Sequence, residues 1–343
     1  MNIKMLIARK LFMVMLIFTV LIQAVLAAEV NIYSERKEEL IKPLLKKFTE
    51  KTGIKVNIIT GGGDILIKRL QIEGRNSPAD VLLTTDVARL YRARQSGLLQ
   101  AVHSETLDSA IPETFRDSEG YWYGLSLRSR VIVYAMERVN PEQLSTYEAL
   151  ADPQWKNRIC VRSSANAYNQ SLVASLIAHN GMEQTEQWVR GLVANLARSP
   201  RGGDRDQIKA VAIGECDIAL VNTYYLGGML HSELEAEREA AQQVGLFWPN
   251  QDGRGAHFNV SGAGVTASAS HKMEAVRLIE FLTEDDSQFW YAEQNYEFPV
   301  KNGITPGETL QKWGNYQADT IKLEILGQNN DEAVKLMDRA GWK

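Results

Sequence analysis

The sequence predicts an α/β protein of two lobes. Three observations carry that expectation. Residues 29–97 alternate short apolar runs with helical patterns, in a β-α-β-α-β order that calls for a parallel sheet covered by helices. Roughly 315 of the 343 residues remain after a leader, enough for two lobes of ordinary domain size. In the second half, two strand-to-helix turns each carry tyrosine where an α/β sheet binds ligands, at the carboxyl ends of its strands.

The leader is Lys4, Arg9 and Lys10, an apolar run from Leu11 to about Leu26, and the small-residue site Val25-Leu26-Ala27-Ala28. This order is that of a secretory signal peptide cut near Ala27/Ala28. No cysteine follows the apolar run, which argues against a lipid anchor. Without the leader's three positive charges, the formal charge of −4 becomes about −7. That balance gives no basis for a nucleic-acid-binding face. A soluble exported chain without nucleic-acid partners is expected, and a monomer.

Glu29 to Tyr33 reads as the first strand, followed by Ser34-Glu35-Arg36 and a helix over 38–52 closed by Gly53. The edge rule places Tyr33, Ser34 and Arg36 at a candidate cleft. Residues 54–59 form a second strand. Gly61-Gly62-Gly63 opens a helix over 64–73, and no Gly-Lys-Ser/Thr follows, so it is a turn and not a phosphate loop. Pro78 to Thr84 is a buried strand, and a helix capped by Thr85 or Asp86 runs over 87–96. Arg128 to Tyr134 reads as a strand that begins with two arginines. They are solvated, paired with carboxylates, or arranged to clamp a flat oxyanion.

A short helix over 147–150 leads to a strand over 158–162 and the turn Arg162 to Gln170. That turn is rich in Ser and Asn and starts a helix with Asn166 and Tyr168. Backbone N–H groups and the positive helix end suit an anion there. Helices follow over 183–195 and 204–213, then the strand Glu215 to Val221, which delivers Tyr224 and Tyr225. Strands over 246–249 and 256–266 return to the first lobe, and helices over 273–282, 287–293, 310–313 and 330–340 finish the chain.

The two cysteines, Cys160 and Cys216, lie in strand-like runs of an exported chain. They form either one disulfide or two buried thiols. They are too few for a zinc site. Tyrosine oxygen is a hard donor that becomes a phenolate only beside a strongly polarising cation such as Fe(III). Tyr168, Tyr224 and Tyr225 would supply three phenolates, and Arg36, Arg128 and Asn166 could host a companion anion. Two other readings compete. In one, Arg36, Arg128 and Arg130 clamp a small anionic molecule without iron. In the other the chain is a hydrolase, but it has no Gly-x-Ser-x-Gly elbow or His-Glu-x-x-His, and its five histidines are scattered and expected at the surface.

The segments Val30 to Ser34, Ser77 to Thr84, Cys160 to Ser163, Tyr168-Asn169, Gly202 to Gln207, Tyr224-Tyr225 and Asp319 to Glu324 together resemble the periplasmic ferric-iron-binding proteins of bacterial iron ABC importers, in their tyrosine-rich, Mannheimia-type branch. The likeness runs over the whole mature chain. It implies a type II periplasmic-binding-protein fold, two α/β lobes joined by crossover strands with the ligand cleft between them. The implied lobes are 28–127 with 256–305, and 128–255 with 306–343. It implies that Tyr168, Tyr224 and Tyr225 hold Fe(III), and that Arg36, Arg128 and Asn166 contact a synergistic anion, carbonate or bicarbonate. It also implies a Cys160–Cys216 disulfide, a periplasmic location, delivery to an inner-membrane ABC permease, and no catalysis. Where some relatives carry a His-Tyr ligand pair after the first strand, this chain has Lys37 and Glu38, which favours the carbonate-assisted site.

Overall fold

The structure, a computed structural model, describes residues 28–343; the expected leader, 1–27, lies outside the described residues. Strand β1 (Glu29–Ser34) leads through a short 3-10 turn to α1 (Lys42–Thr52). The expected single helix over 38–52 is thus divided, because Pro43 has no N–H to donate and fits only a helix's first turn. Gly53 closes α1 in the left-handed region, at φ 73°. Next come β2 (Lys55–Thr60), α2 (Gly63–Glu73), β3 (Val81–Thr84), α3 (Val87–Gln95) and α4 (Glu105–Ala110). Asp86 caps α3 by accepting from the Ala88 N–H at 2.8 Å.

Strand β4 (Tyr123–Ala135) is followed by 3-10 turns, β5 (Ile159–Cys160), α5 (Ala167–Ala194), α6 (Asp204–Ala212), β6 (Ile218–Asn222), α7 (Thr223–Leu230), α8 (Glu235–Gln242) and β7 (Val244–Phe247). Gly181 breaks α5 with φ 77°. The chain ends with β8 (Phe258–Val265), α9 (Lys272–Leu282), α10 (Asp285–Gln294), β9 (Phe298–Pro299), α11 (Glu308–Gln311), α12 (Glu324–Gln328) and α13 (Asn330–Arg339).

The sheet runs β2-β1-β3-β8-β4-β6-β5, with β7 and β9 also pairing to β4. Strand β1 is parallel to β2 and β3, and β5 is parallel to β6. Strand β4 belongs to both halves. Its first part, Tyr123–Ser129, pairs with β8, and its second, Arg130–Ala135, pairs with β6 and β7. Arg128 and Arg130 therefore lie inside a strand, at the place where it changes partners, and not at its beginning as expected. Residues 123–129 are buried on both faces, even though their sequence alternates large apolar residues (Tyr123, Leu125, Leu127) with small or polar ones (Gly124, Ser126, Arg128). Past that point the strand is a continuous apolar run, in which Val131 and Val133 face one apolar core and Ile132 the other.

Cys160 and Cys216 are joined by a disulfide, with Cα atoms 5.9 Å apart. It ties the two-residue strand β5 to the chain entering β6, beside their shared parallel register. Among the described residues no helix is long and apolar enough to cross a membrane.

Candidate metal and anion site

Two helix starts build the site. Strand β6 passes into α7 with no loop, so Tyr224 and Tyr225 occupy the helix's first turn. Helix α5 begins one residue before Tyr168, and Asn166 caps it by accepting from the Asn169 N–H at 3.3 Å. These starts meet. The Tyr224 hydroxyl donates to the Tyr168 oxygen at 3.2 Å, and the Tyr224 and Tyr225 ring centroids are 4.3 Å apart. Burial, and then the proximity of the Tyr168 and Tyr225 oxygens, hold the Tyr224 phenol well above its ordinary value of 10.0. Burial and Tyr168 likewise push Tyr225 up. The free phenols are therefore neutral near pH 7 and lose protons only to a strongly polarising cation.

A buried acid sets the two starts against each other. Asp204, fully buried at the beginning of α6, takes hydrogen bonds from Arg130 Nη1, from Arg162 Nη1 at 2.6 Å and from the Asn222 N–H at 3.0 Å. Arg130 also donates to Asn169 Oδ1 at 2.7 Å, behind Tyr168. The Asp204 carboxylate so joins β4, the turn before α5, and the residue before α7. In sequence the Gly-Gly-Asp-Arg-Asp-Gln segment carries only a family likeness, because a lone Asp at a helix start gives no sign that it is a buried hub.

The arginines differ in what remains free. Arg128 donates from Nη1 to Ser261 Oγ at 2.7 Å, while its buried Nε and Nη2 have no partner, and its guanidinium carbon lies 5.6 Å from the Tyr168 ring centroid. Among the described residues it forms no ion pair. Arg36 does: its Nη2 lies 2.7 Å from Glu297 Oε2 and also donates to Ser261 Oγ at 2.7 Å and Ser126 Oγ at 3.1 Å. Arg130 is held by Asp204. The three arginines of the expected clamp are therefore not equivalent: Arg36 and Arg130 are each paired with a buried carboxylate and leave only Nε without a partner among their buried nitrogens, whereas Arg128, beside the phenols, has no ion pair among the described residues and leaves both Nε and Nη2. A cavity of about 10 Å³ lies there, lined by Arg128, Arg130, Tyr168, Asn222, His257 and Asn259.

Other expectations change. Tyr33 turns away from the phenols, donating to both Glu73 oxygens at 2.8 and 2.9 Å beneath Arg69. Lys37 and Glu38 make only surface ion pairs. His257 is buried, not at the surface: burial, then the neighbouring Arg130, Arg254 and Arg128, pull its pKa down to about 3. Its place just before β8, in a Gly-rich context, hides its burial in sequence. The other four histidines lie elsewhere, with His179 on Asp319 and His271 on Asp80. Among the described residues no group of three His, Cys, Asp or Glu side chains comes together to hold a metal. The convergent oxygen donors are the phenols.

The sequence pattern of the bacterial extracellular solute-binding proteins matches residues 76–318. The chain belongs to that family. Within this family of extracellular solute-binding proteins it is similar to iron uptake protein A1 of Synechocystis, with 50% identity over 315 residues, 92% of this chain and 88% of the relative. It is also similar to a Trichodesmium protein (IdiA, FutA) solved with iron and citrate ligands, at 46% identity and a TM-score of 0.89, covering 92% of this chain and all (100%) of that one. The ferric iron-binding protein A of Mannheimia haemolytica in an open conformation matches at 44% identity and a TM-score of 0.85, covering 92% and 99%. The mixed α/β periplasmic-binding-protein fold expected from the sequence is the fold this extracellular solute-binding protein has.

Proposed function

We propose that the chain is an exported protein that captures Fe(III) in the periplasm and delivers it to an inner-membrane ABC permease, and that it is not an enzyme. The observation that carries this is the meeting of the Tyr168 and Tyr224 hydroxyls, 3.2 Å apart from two helix starts, with the Tyr225 ring tilted against that of Tyr224. Three phenolates match the charge and hardness of Fe(III). The unused Nε and Nη2 of Arg128 suit a flat oxyanion in two-point fashion. That anion is carbonate or bicarbonate. Citrate, present with iron in the Trichodesmium relative, is the competing candidate. Asn166 and Arg36 flank the position, the first as a helix cap and the second already engaged by Glu297.

In this reading the two halves of the sheet act as lobes, 28–127 with 256–305 against 128–255 with 306–343. They hinge where β4 changes partners and where β8 returns. The protein works as a monomer, released from its leader near Ala27/Ala28. Iron uptake proteins among its relatives support the cargo.

The test is a visible absorption spectrum of the mature protein with one equivalent of Fe(III) and bicarbonate, beside the Tyr225→Phe variant. A ferric-phenolate band that is lost or shifted in the variant is the expected result. A colourless iron-loaded sample would overturn the reading.

A further inference from the structure

We propose that Glu297 is a specificity-determining residue that fixes how much negative charge the synergistic anion carries; this rests on the tyrosinate-iron reading above. A continuous buried chain of contacts supports it. Arg128, 5.6 Å from the Tyr168 ring centroid, donates to Ser261 Oγ at 2.7 Å. Arg36 donates to the same hydroxyl oxygen at 2.7 Å. The two guanidinium groups thus meet at one side chain, and both residues are nearly inaccessible to water, at 2% and 3% exposure. Two cations this close, in a poorly screened setting, would attract a polyanion strongly. Glu297, itself 5% exposed, cancels one of them with Oε2 at 2.7 Å from Arg36 and takes a further hydrogen bond from Ser126 Oγ.

Glu297 is also held in place from the tyrosine side. The residue before it, Tyr296, has φ 54°, a left-handed backbone uncommon outside glycine. Its ring stacks on His231, with centroids 5.2 Å apart and planes within 9°. Its Cβ sits where a Cβ on Gly227 would lie only 2.6 Å away. Gly227 and His231 follow Tyr225 along α7 and just past its end. The segment that carries the neutralising carboxylate is therefore packed on the helix that carries two of the phenols. Residue 298 onward then pairs with β4 at Ser126 and Leu127. The carboxylate is fixed on both sides, and its charge acts on the host as a constant.

The consequence is a preference for a singly charged bicarbonate over multiply charged phosphate or citrate. Removing the charge as Glu297→Gln leaves Arg36 uncompensated and moves the preference toward the polyanions.

The experiment compares wild type, Glu297→Gln and the charge-balanced pair Arg36→Gln with Glu297→Gln. Each is loaded with Fe(III) in bicarbonate, phosphate or citrate, and anion affinities are read from the ferric-phenolate band. The expected result is a phosphate-to-bicarbonate affinity ratio about tenfold or more higher in Glu297→Gln. In the balanced pair the ratio returns to the wild-type value, whatever the absolute affinities. An unchanged ratio in a cooperatively folded Glu297→Gln protein overturns the proposal. Should that variant not fold, a ratio in the balanced pair that departs from wild type overturns it instead. Absence of any band in wild type with all three anions would overturn the iron reading, and this proposal with it. A band in wild type with no ratio change refutes only the role of Glu297.

Discussion

Tyr168 and Tyr224 are 56 residues apart in sequence, yet the hydroxyl of one lies 3.2 Å from that of the other. Each sits in the first turn of its own helix, and each helix follows a strand of the same half-sheet, β5 and β6, paired in parallel. The contact is a property of the sheet's register, and burial together with the nearness of Tyr168 makes Tyr224 and Tyr225 difficult to ionise in the absence of a cation.

That difficulty has a sign that can be measured. The folded chain holds Tyr224 and Tyr225 above 10.0, the value each has when unfolded, so it favours their neutral forms. Their contribution to stability is complete below pH 10 and is lost as pH rises through that value toward the folded pKa. Urea titrations of the metal-free protein between pH 8 and about 11.5 should show falling stability. Tyr224→Phe should reduce the slope. With iron present the sense reverses, because binding expels those protons and acidification weakens it.

His257 predicts the opposite end of the curve. Unfolded, its pKa is 6.5; folded, burial and three arginines take it to about 3. Stability from keeping it neutral is present above pH 6.5 and is lost as pH falls toward 3. The His257 ring should remain neutral by NMR at pH 5, and His257→Gln should unfold less readily on acidification than wild type. A ring that titrates near 6.5 would refute the burial argument.

Asp204 is the buried acid that Arg130 and Arg162 share. Asp204→Ala leaves Arg130 buried without its counter-charge, at a cost on the order of 3–5 kcal/mol. Denaturant unfolding should show that loss. Iron affinity should fall too, because the Asn222 N–H that Asp204 holds at 3.0 Å precedes α7 directly. A stability change below about 1 kcal/mol would mean that the hub is dispensable.

The Cys160–Cys216 bridge closes a sequence separation of 56 residues. Chain-entropy reasoning gives it about 4 kcal/mol. Cys160→Ser with Cys216→Ser should lower the midpoint of denaturation accordingly. Strand β5 is only two residues long and leads to Tyr168, so the same variant should lose iron faster than wild type in chelator competition. Equal release rates would confine the bridge to stability alone.

The local elements were legible because their signals are local. Gly53 closing α1, Asp86 capping α3 and the apolar stripe of α1 need only neighbours along the chain to be read. Where the local signal is weak the reading failed. Helix α8, Glu235–Gln242, carries alanine as its only apolar residue and was not foreseen, and neither were the short α4 and α12. The tyrosines are legible in sequence because paired tyrosines after a buried strand stand at the ligand edge of an α/β sheet.

The sequence by itself determined the α/β class, the strand-to-helix turns and the residue types available for binding, because propensity, capping and periodicity act over a few residues. Only the tertiary structure decided how those residues are spent. Arg36, Arg128 and Arg130 look alike in sequence, yet Glu297 takes the first, Asp204 takes the third, and Arg128 keeps free donors beside the phenols. Those partners lie 261 and 74 residues from the arginines they neutralise. Charge pairing in a buried site depends on distance in space, which the sheet's crossover strands set and which no spacing along the chain encodes.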